Sequence, residues 1–244
     1  MKPLFEEIDF HPTPIGDLIL RRRRMVMLDN LIVYEVLLGD AFLMSSLFHD
    51  VEEALADLGL AAAKGDHLDV VVGGLGLGYT AAAALLSERV DELLVIDALA
   101  PVIEWHEKGL VPLGHVLTSD PRCRFVHADF FELAADPDSG FDPQQAGRKF
   151  HVVLLDIDHS PRNLLDEKNG LFYRVDGLRK LAAQLFPGGI FALWSDDAPD
   201  EVFLNHLGEV FEKPQAHVVS FFNPLLERDS CSTVYVARRL ANDL

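Results

Sequence analysis

Three aspartates, Asp97, Asp129 and Asp156, each come at or just after the end of a short apolar run in the sequence. The runs have the length of buried strands, and the carboxyl ends of parallel strands form the edge at which open α/β sheets bind ligands. We therefore expect the three carboxylates to face one cleft. A strand-end aspartate can also cap the next helix or turn, so each residue taken alone has a structural explanation as well.

A glycine-rich segment, Gly73-Gly74-Leu75-Gly76-Leu77-Gly78, joins an apolar run at 70–72 to an alanine-rich helix predicted over Ala81 to Ser87. Glycines without side chains let backbone N–H groups come close to a nucleotide. The stretch from Gly76 to Ala81 also satisfies the dinucleotide pattern Gly-x-Gly-x-x-Ala. Taken alone, the segment therefore does not separate an NAD-dependent enzyme from one that uses S-adenosylmethionine.

The features that follow the glycines favour an adenosyl-sulfonium ligand. Asp97 lies about twenty residues beyond them, where a carboxylate can accept hydrogen bonds from both ribose hydroxyls. NAD enzymes also place an acid there, but they have no routine need for the second one at Asp129. The stretch Leu185-Phe186-Pro187-Gly188-Gly189-Ile190 predicts a helix end, a Pro-Gly-Gly turn and the start of a strand. This arrangement is typical of a methyltransferase-type sheet. An NAD-dependent enzyme remains the alternative.

The segment Asp156-Ile157-Asp158-His159 supplies the candidate catalytic residues Asp156, Asp158 and His159. A carboxylate or a neutral imidazole there can take a proton from an attacking amine, whose free pKa is too high for nucleophilicity at pH 7. Carboxylates would also attract a cationic substrate. His159 can instead be a loop residue that hydrogen-bonds locally.

Composition limits the partners and the location of the protein. The net charge of −18 would repel phosphate backbones, which disfavours a nucleic-acid partner. The apolar runs are too short to cross a membrane, and the sequence starts without a basic segment and an apolar core, so we expect a cytoplasmic protein. Cys123 and Cys231 lie far apart without metal-ligand spacing, and no metal is expected. One basic run, Arg21 to Arg24, could contact an anionic ligand or could be a solvated strand end.

The pattern along the chain predicts an α/β fold with a Rossmann-like, methyltransferase-type sheet, mostly parallel with a C-terminal antiparallel strand. A small N-terminal β-hairpin subdomain with a linker helix is predicted over residues 1–60, and the nucleoside-binding α/β domain over residues 61–244. Gly39-Asp40 between two apolar runs indicates the hairpin. The predicted elements are the hairpin strands 30–38 and 41–48, the helix 51–60, the sheet strands 70–72, 92–96, 123–127, 152–156 and 189–194, and two late strands, 216–222 and 233–238.

Taken in order, these motifs resemble the spermidine synthase (polyamine aminopropyltransferase) family over approximately residues 69–239. The resemblance also includes Asp120-Pro121-Arg122 and Leu171-Phe172-Tyr173. It implies that Asp97 holds the ribose of a bound nucleoside, that Asp129 holds its adenine, and that Asp156 is the catalytic aspartate that helps to deprotonate the attacking amine. It also implies a homodimer. The glycines that would line the nucleoside are Gly73, Gly74, Gly76 and Gly78.

The sequence departs from the family pattern at two places. The family loop has a second, diamine-binding aspartate three residues after the first, where this chain has His159, and Asp158 lies one position earlier. No Tyr-His-Glu triplet is found, and Phe42 to Ser46 occupies roughly that region. The leading hypothesis is a transferase that uses S-adenosylmethionine or its decarboxylated form to alkylate a small, amine-type acceptor. The alternatives are S-adenosylmethionine-dependent methyl transfer to a small molecule and a non-catalytic nucleoside-binding relative.

Overall fold

The N-terminal part of the chain forms a four-stranded antiparallel sheet in the computed structural model, which describes residues 4–241. The predicted hairpin is present as its last two strands. The sequence indicated a strand only just before the basic run, and it did not predict that β1 and β2 pair as a hairpin. Pro12 lies in an edge strand, where its missing N–H is tolerated. The strands are β1 (Phe5–Thr13), β2 (Gly16–Met25), β3 (Leu31–Leu38) and β4 (Ala41–Ser45).

The basic run lies within β2 and pairs with carboxylates of the same sheet. Arg21 and Arg23 each place Nε 2.8 Å from an oxygen of Glu35, which is almost completely buried. Arg22 lies 2.6 Å from Glu6 on the neighbouring strand. These three guanidinium groups therefore balance charge within the sheet, near the end of β2.

The predicted linker helix is α1 (Asp50–Ala62), which connects the two sheets and packs on the second one. Gly59 makes the close approach possible, since a Cβ atom there would lie 2.5 Å from the side chain of Leu154. Val51 and Leu55 are buried, as the helical pattern predicts. The first turn of α1 is therefore held close to the carboxyl edge of the second sheet.

The second sheet has seven strands and matches the predicted type. Its strands are β5 (Leu68–Gly73), β6 (Val90–Asp97), β7 (Cys123–His127), β8 (Phe150–Leu155), β9 (Leu185–Ser195), β10 (Phe211–Asn223) and β11 (Arg228–Arg239). Their spatial order is β10-β11-β9-β8-β5-β6-β7, and β11 runs antiparallel to both of its neighbours. The mostly parallel sheet with a C-terminal antiparallel strand is confirmed.

The remaining helices cover the two faces of this sheet, and a separate hydrophobic core fills each face. The alanine-rich helix begins two residues before its predicted start. These helices are α2 (Tyr79–Leu85), α3 (Ala100–Glu107), α4 (Gly114–Ser119), α5 (Phe130–Ala135), α6 (Val175–Ala183) and α7 (Glu201–Gly208), with short 3-10 turns at Val26–Leu28 and Glu167–Leu171.

The Pro-Gly-Gly stretch lies inside β9, whereas the sequence predicted that it forms a turn before this strand begins. Leu185 pairs with Phe150, and the next pair of the ladder joins Ile190 to Val152, so the residues between them form a bulge. Gly188 takes a positive φ of 77° in this bulge. Within residues 4–241, no helix combines the length and the apolar character needed to cross a membrane.

Candidate functional site

Five adjacent parallel strands end at one edge of the seven-stranded sheet, and each delivers a candidate site residue there. In sheet order from β7 through β6, β5 and β8 to β9, these residues are Asp129, Asp97, Gly74, Asp156 and Asp196. All five line one or both of two adjoining cavities. We call them the Asp97 cavity, with a volume of about 260 Å³, and the Glu52 cavity, with a volume of about 340 Å³.

The Asp97 cavity brings together the two carboxylates expected to hold a nucleoside. Asp97 and Asp129 both line it, and Asp156 lies in the wall that it shares with the Glu52 cavity. Apolar side chains supply most of the remaining surface and offer a place for a flat ring system. These include Leu99, Val102, Phe130, Phe131 and Ile157.

Asp97 connects the glycine turn to the following loop. Its Oδ2 accepts a hydrogen bond from the backbone N–H of Leu75 (2.9 Å), and its Oδ1 accepts one from Leu99 (2.8 Å). Burial raises the pKa of Asp97, and these hydrogen bonds oppose that rise. Because an ionised carboxylate offers about four acceptor positions, capacity remains for ligand hydroxyls.

Asp129 also combines a structural contact with a position on the cavity. Its Oδ1 accepts hydrogen bonds from the backbone N–H groups of Phe131 (2.9 Å) and Glu132 (3.3 Å), which caps α5. Its Oδ2 lies 2.9 Å from Nζ of Lys168, a largely exposed side chain from the segment after β8. The capping explanation is therefore correct for Asp129, and the residue faces the Asp97 cavity as well.

Two of the four candidate glycines form the floor of the Asp97 cavity. Gly74 has a φ of 95°, and a Cβ atom there would lie 2.0 Å from the carbonyl oxygen of Asp156. Gly76 has a φ of 49°, and its Cβ atom would lie 2.8 Å from Sδ of Met44. Both positions therefore favour glycine for conformation, and Gly74 also needs it for space, because the atom that a Cβ would meet there belongs to the backbone.

The other two glycines have different surroundings. Gly78 borders the Glu52 cavity and precedes α2 with a φ of 92°. Gly73 lines neither cavity, because it packs against the ring of Phe130, where a Cβ atom would lie 2.5 Å from a ring carbon. The structure thus gives Gly73 a packing position, whereas the family resemblance implied that it lines the nucleoside.

The Glu52 cavity is acidic. Its lining includes the carboxylates of Asp50, Glu52, Asp156 and Asp196, and its described lining residues include no lysine or arginine. Coulomb attraction to a small cation is expected from such a surface. Aromatic side chains form much of the remaining wall, namely Phe42, Phe48, Tyr79, Trp194 and Phe221.

Sequence reasoning missed Glu52 and Thr80 as site residues. The helical pattern assigned Glu52 to the polar face of α1, although the first turn of that helix borders the cavity. Thr80 is buried, and its hydroxyl donates a hydrogen bond to Oδ2 of Asp156 (2.7 Å) and lies 3.4 Å from the carbonyl oxygen of Glu52. The signal for Thr80 in the sequence was its polar side chain, which precedes the alanines of α2.

Glu52 and Asp156 are two carboxyl groups with raised pKa values in one cavity. Burial raises the pKa of Asp156 to about 6, and the hydrogen bond from Thr80 opposes the rise. Burial and then the negative charge of Asp156 raise the pKa of Glu52 to about 8. Because the negative charge of Asp156 opposes ionisation of Glu52, the pair keeps a proton to a higher pH than free carboxyl groups do.

Asp158 does not face the space next to Asp156, contrary to the sequence-based expectation. It is almost completely buried and lines neither cavity. It accepts hydrogen bonds from the backbone of Leu165 (2.7 Å), from Nδ2 of Asn169 (3.0 Å) and from the hydroxyl of Tyr173 (2.8 Å). The geometry gives Asp158 the task of anchoring the segment that follows β8.

His159 and the end of β9 do border the Glu52 cavity. The carbonyl oxygen of His159 accepts a hydrogen bond from the backbone N–H of Asp196 (2.7 Å), which holds the two loops together. Trp194 and Asp196 line the cavity, whereas Trp105 is buried in the core and donates a hydrogen bond to Asp9. Of the two tryptophans, Trp194 is therefore the one beside the site.

Among the described residues, no group of three or more His, Cys, Asp or Glu side chains is placed to hold a metal ion. Both cysteines are free thiols, and burial raises the pKa of Cys123 to about 12.

No family model matches the sequence. The crystal structure of spermidine synthase from Thermotoga maritima superimposes with a TM-score of 0.71 at 15% identity, covering 97% of this chain and 74% of that one. The chain has a spermidine synthase-like fold. A structure of spermidine synthase in complex with the transition-state analogue AdoDATO gives a TM-score of 0.73 at 16% identity, with the same coverage.

Proposed function

We propose that this protein is a spermidine synthase-like transferase that alkylates a small amine with the decarboxylated form of S-adenosylmethionine. The observation that carries the proposal is the position of Asp156 in the wall shared by the two cavities. A group held on the Asp97 side can therefore meet a second molecule on the Glu52 side next to a carboxylate. The AdoDATO complex of a structural relative supports the same substrate class.

The residues of the Asp97 cavity fit an adenosine group. The carboxylates of Asp97 and Asp129 are acceptors for ribose hydroxyls and for the adenine amino group, and Gly74 and Gly76 leave the floor of the cavity free of side chains. A sulfonium nucleoside supplies an alkyl carbon that is already activated for displacement. The protein has to align the amine, keep it neutral and exclude water.

Charge in the Glu52 cavity distinguishes between the two forms of the donor. The amino acid tail of S-adenosylmethionine carries a carboxylate, whereas the decarboxylated tail carries only an ammonium group. Since the described lining of this cavity contains carboxylates and no lysine or arginine, the cationic tail is favoured over the zwitterionic one. The same carboxylates favour a cationic amine as the acceptor.

Asp156 is the proposed base for the attacking amine, and His159 borders the same cavity as a second polar group. The raised pKa of Asp156, about 6, makes it a stronger base than an exposed aspartate and leaves it ionised at pH 7. Thr80 fixes one carboxylate oxygen, so the other oxygen of Asp156 is available to the substrate.

Calorimetry with S-adenosylmethionine, its decarboxylated form and 5′-methylthioadenosine tests the proposal. We expect the decarboxylated donor to bind at least tenfold more tightly than S-adenosylmethionine, which corresponds to about 1.4 kcal/mol. Transfer is then assayed with linear diamines. Tight binding of S-adenosylmethionine together with no binding of the decarboxylated form would contradict aminopropyl transfer and favour methyl transfer. Binding without turnover of any amine would indicate a nucleoside-binding protein.

A further inference from the structure

The first turn of α1 places a second carboxyl group beside Asp156. Glu52 and Asp156 line the same cavity, one from the first turn of α1 and the other from the end of β8. The hydroxyl of Thr80 donates its hydrogen to Oδ2 of Asp156 (2.7 Å) and also lies 3.4 Å from the backbone oxygen of Glu52. Through Thr80, the first turn of α1 therefore lies beside the carboxyl group of Asp156.

We infer that Glu52 and Asp156 work as one acid–base unit, in which Glu52 is a second catalytic residue that shares the proton taken from the amine. This inference rests on the proposed function, because it concerns the same cavity and the same amine. It adds a residue for which the family resemblance gave no role.

The charges around the pair explain why it holds a proton. From α1, Asp50 and Glu53 add negative charge, and Asp156 faces Glu52 from β8. From α2, Tyr79 lies close enough for the charges of Glu52 and Glu53 to help raise its pKa. His159 and Asp196 border the cavity from the loops after β8 and β9, and His49 pairs with Glu53. Within the described lining of the cavity, no lysine or arginine offsets the negative charge.

An ammonium N–H bond breaks, an O–H bond forms on a carboxylate oxygen of the pair, and the electron pair left on nitrogen becomes available to form the new bond to carbon. Burial and then the charge of Asp156 raise the pKa of Glu52 to about 8, so a pair that has lost both protons binds one more strongly than Asp156 does when Glu52 is already protonated. Above that pH the pair is therefore a better proton acceptor for an amine than a single ionised carboxylate is.

The test compares Glu52→Gln with wild type and with Asp57→Asn, the same change from carboxylate to amide on an exposed turn of the same helix. Decarboxylated S-adenosylmethionine and 1,4-diaminobutane are the substrates, and kcat/KM is measured as a function of pH. Wild type is expected to gain activity as pH rises through about 8. Glu52→Gln is expected to lose that rise and to be roughly 100-fold slower at pH 8, whereas Asp57→Asn follows wild type.

A ligand-free measurement separates failure of this inference from failure of the proposed function. Infrared spectra of wild type minus Glu52→Gln at pH 7 are expected to show the band of a protonated carboxylic acid, and the band should disappear above pH 8. If no donor supports turnover, the proposed function fails, and the presence or absence of this band still decides whether the pair holds a proton. Absence of the band overturns the inference. A uniform increase in the KM for the amine at every pH also overturns it, because Glu52 would then only attract the cation.

Discussion

The hydroxyl of Thr80 donates a hydrogen bond to Oδ2 of Asp156, with 2.7 Å between the two oxygens. This contact lowers the pKa of a carboxyl group that burial raises to about 6. In Thr80→Val the opposing contact is lost, so the pKa of Asp156 should rise further, by about one unit for a hydrogen bond to a charged group. A titration of ¹³C-labelled aspartate carboxyl groups by NMR measures this change.

Thr80→Ser serves as the control, because serine keeps the hydroxyl and loses only the methyl group. It should titrate like wild type. An unchanged titration of Asp156 in Thr80→Val would show that the hydroxyl does not act on the carboxylate. Because Asp156 must be ionised to accept a proton, the part of the pH profile of any transfer activity that follows Asp156, near pH 6, should move to higher pH together with the pKa.

Asp97 holds the glycine turn through Leu75 and the next loop through Leu99, and it also faces the Asp97 cavity. In Asp97→Asn one acceptor oxygen becomes an NH₂ donor that faces a backbone N–H. We expect a loss of about 1–2 kcal/mol in the free energy of unfolding. The Kd for 5′-methylthioadenosine, measured by calorimetry, should increase by roughly tenfold or more.

The matched variant for this test is Asp91→Asn, which changes an exposed carboxylate near the other end of β6. It should leave the Kd for the nucleoside unchanged. Nucleoside binding by Asp97→Asn that equals that of wild type would exclude Asp97 from the ligand site and leave it a purely structural role.

Gly74 and Gly39 both have positive φ values, 95° and 58°, but their surroundings differ. A Cβ atom at Gly74 would lie 2.0 Å from the carbonyl oxygen of Asp156, whereas nothing lies within 4 Å of one at Gly39. Gly39→Ala should cost about 1 kcal/mol of backbone strain. Gly74→Ala should cost roughly 1–3 kcal/mol more because backbone has to move. Urea unfolding of the two variants measures the difference in the free energy of unfolding. Equal losses in the two variants would mean that the backbone of the glycine turn shifts without a measurable loss of stability.

The sheet could be predicted because its strands are short, continuous apolar runs that alternate with helical segments, the pattern typical of a buried parallel sheet. The acids at the strand ends followed from the same rule, and Asp97 and Asp129 do share a cavity. The glycines of the turn were identified for similar reasons, since a positive φ favours that residue type. Gly73 could not be separated from the others, because its contact with Phe130 is made by a residue more than fifty positions away.

The remaining site residues depend on geometry that the sequence pattern does not contain. Glu52 lies on the polar side of an amphipathic helix, and only the docking of α1 at the sheet edge turns that side toward the site. Asp158 and His159 follow a strand in an irregular segment, where the alternation of a strand no longer decides which side chain faces inward. The pairing of β1 with β2 was not predicted, because Pro12 and the four consecutive arginines interrupt the apolar pattern of these strands.

Asp158 provides the last test, because the sequence made it a catalytic candidate and the structure makes it an anchor. Asp158→Ala would leave Asn169, Tyr173 and the backbone N–H of Leu165 without their shared acceptor. Buried donors that lose a charged partner cost about 1–3 kcal/mol each, so the free energy of unfolding should fall by roughly 3 kcal/mol or more. The shape of the pH profile of the remaining activity should not change. Asp176→Ala, at an exposed carboxylate on α6, should leave stability nearly unchanged. An Asp158→Ala protein that is as stable as wild type but has no turnover would indicate that Asp158 is catalytic. Removal of an anchoring residue should instead lower the free energy of unfolding.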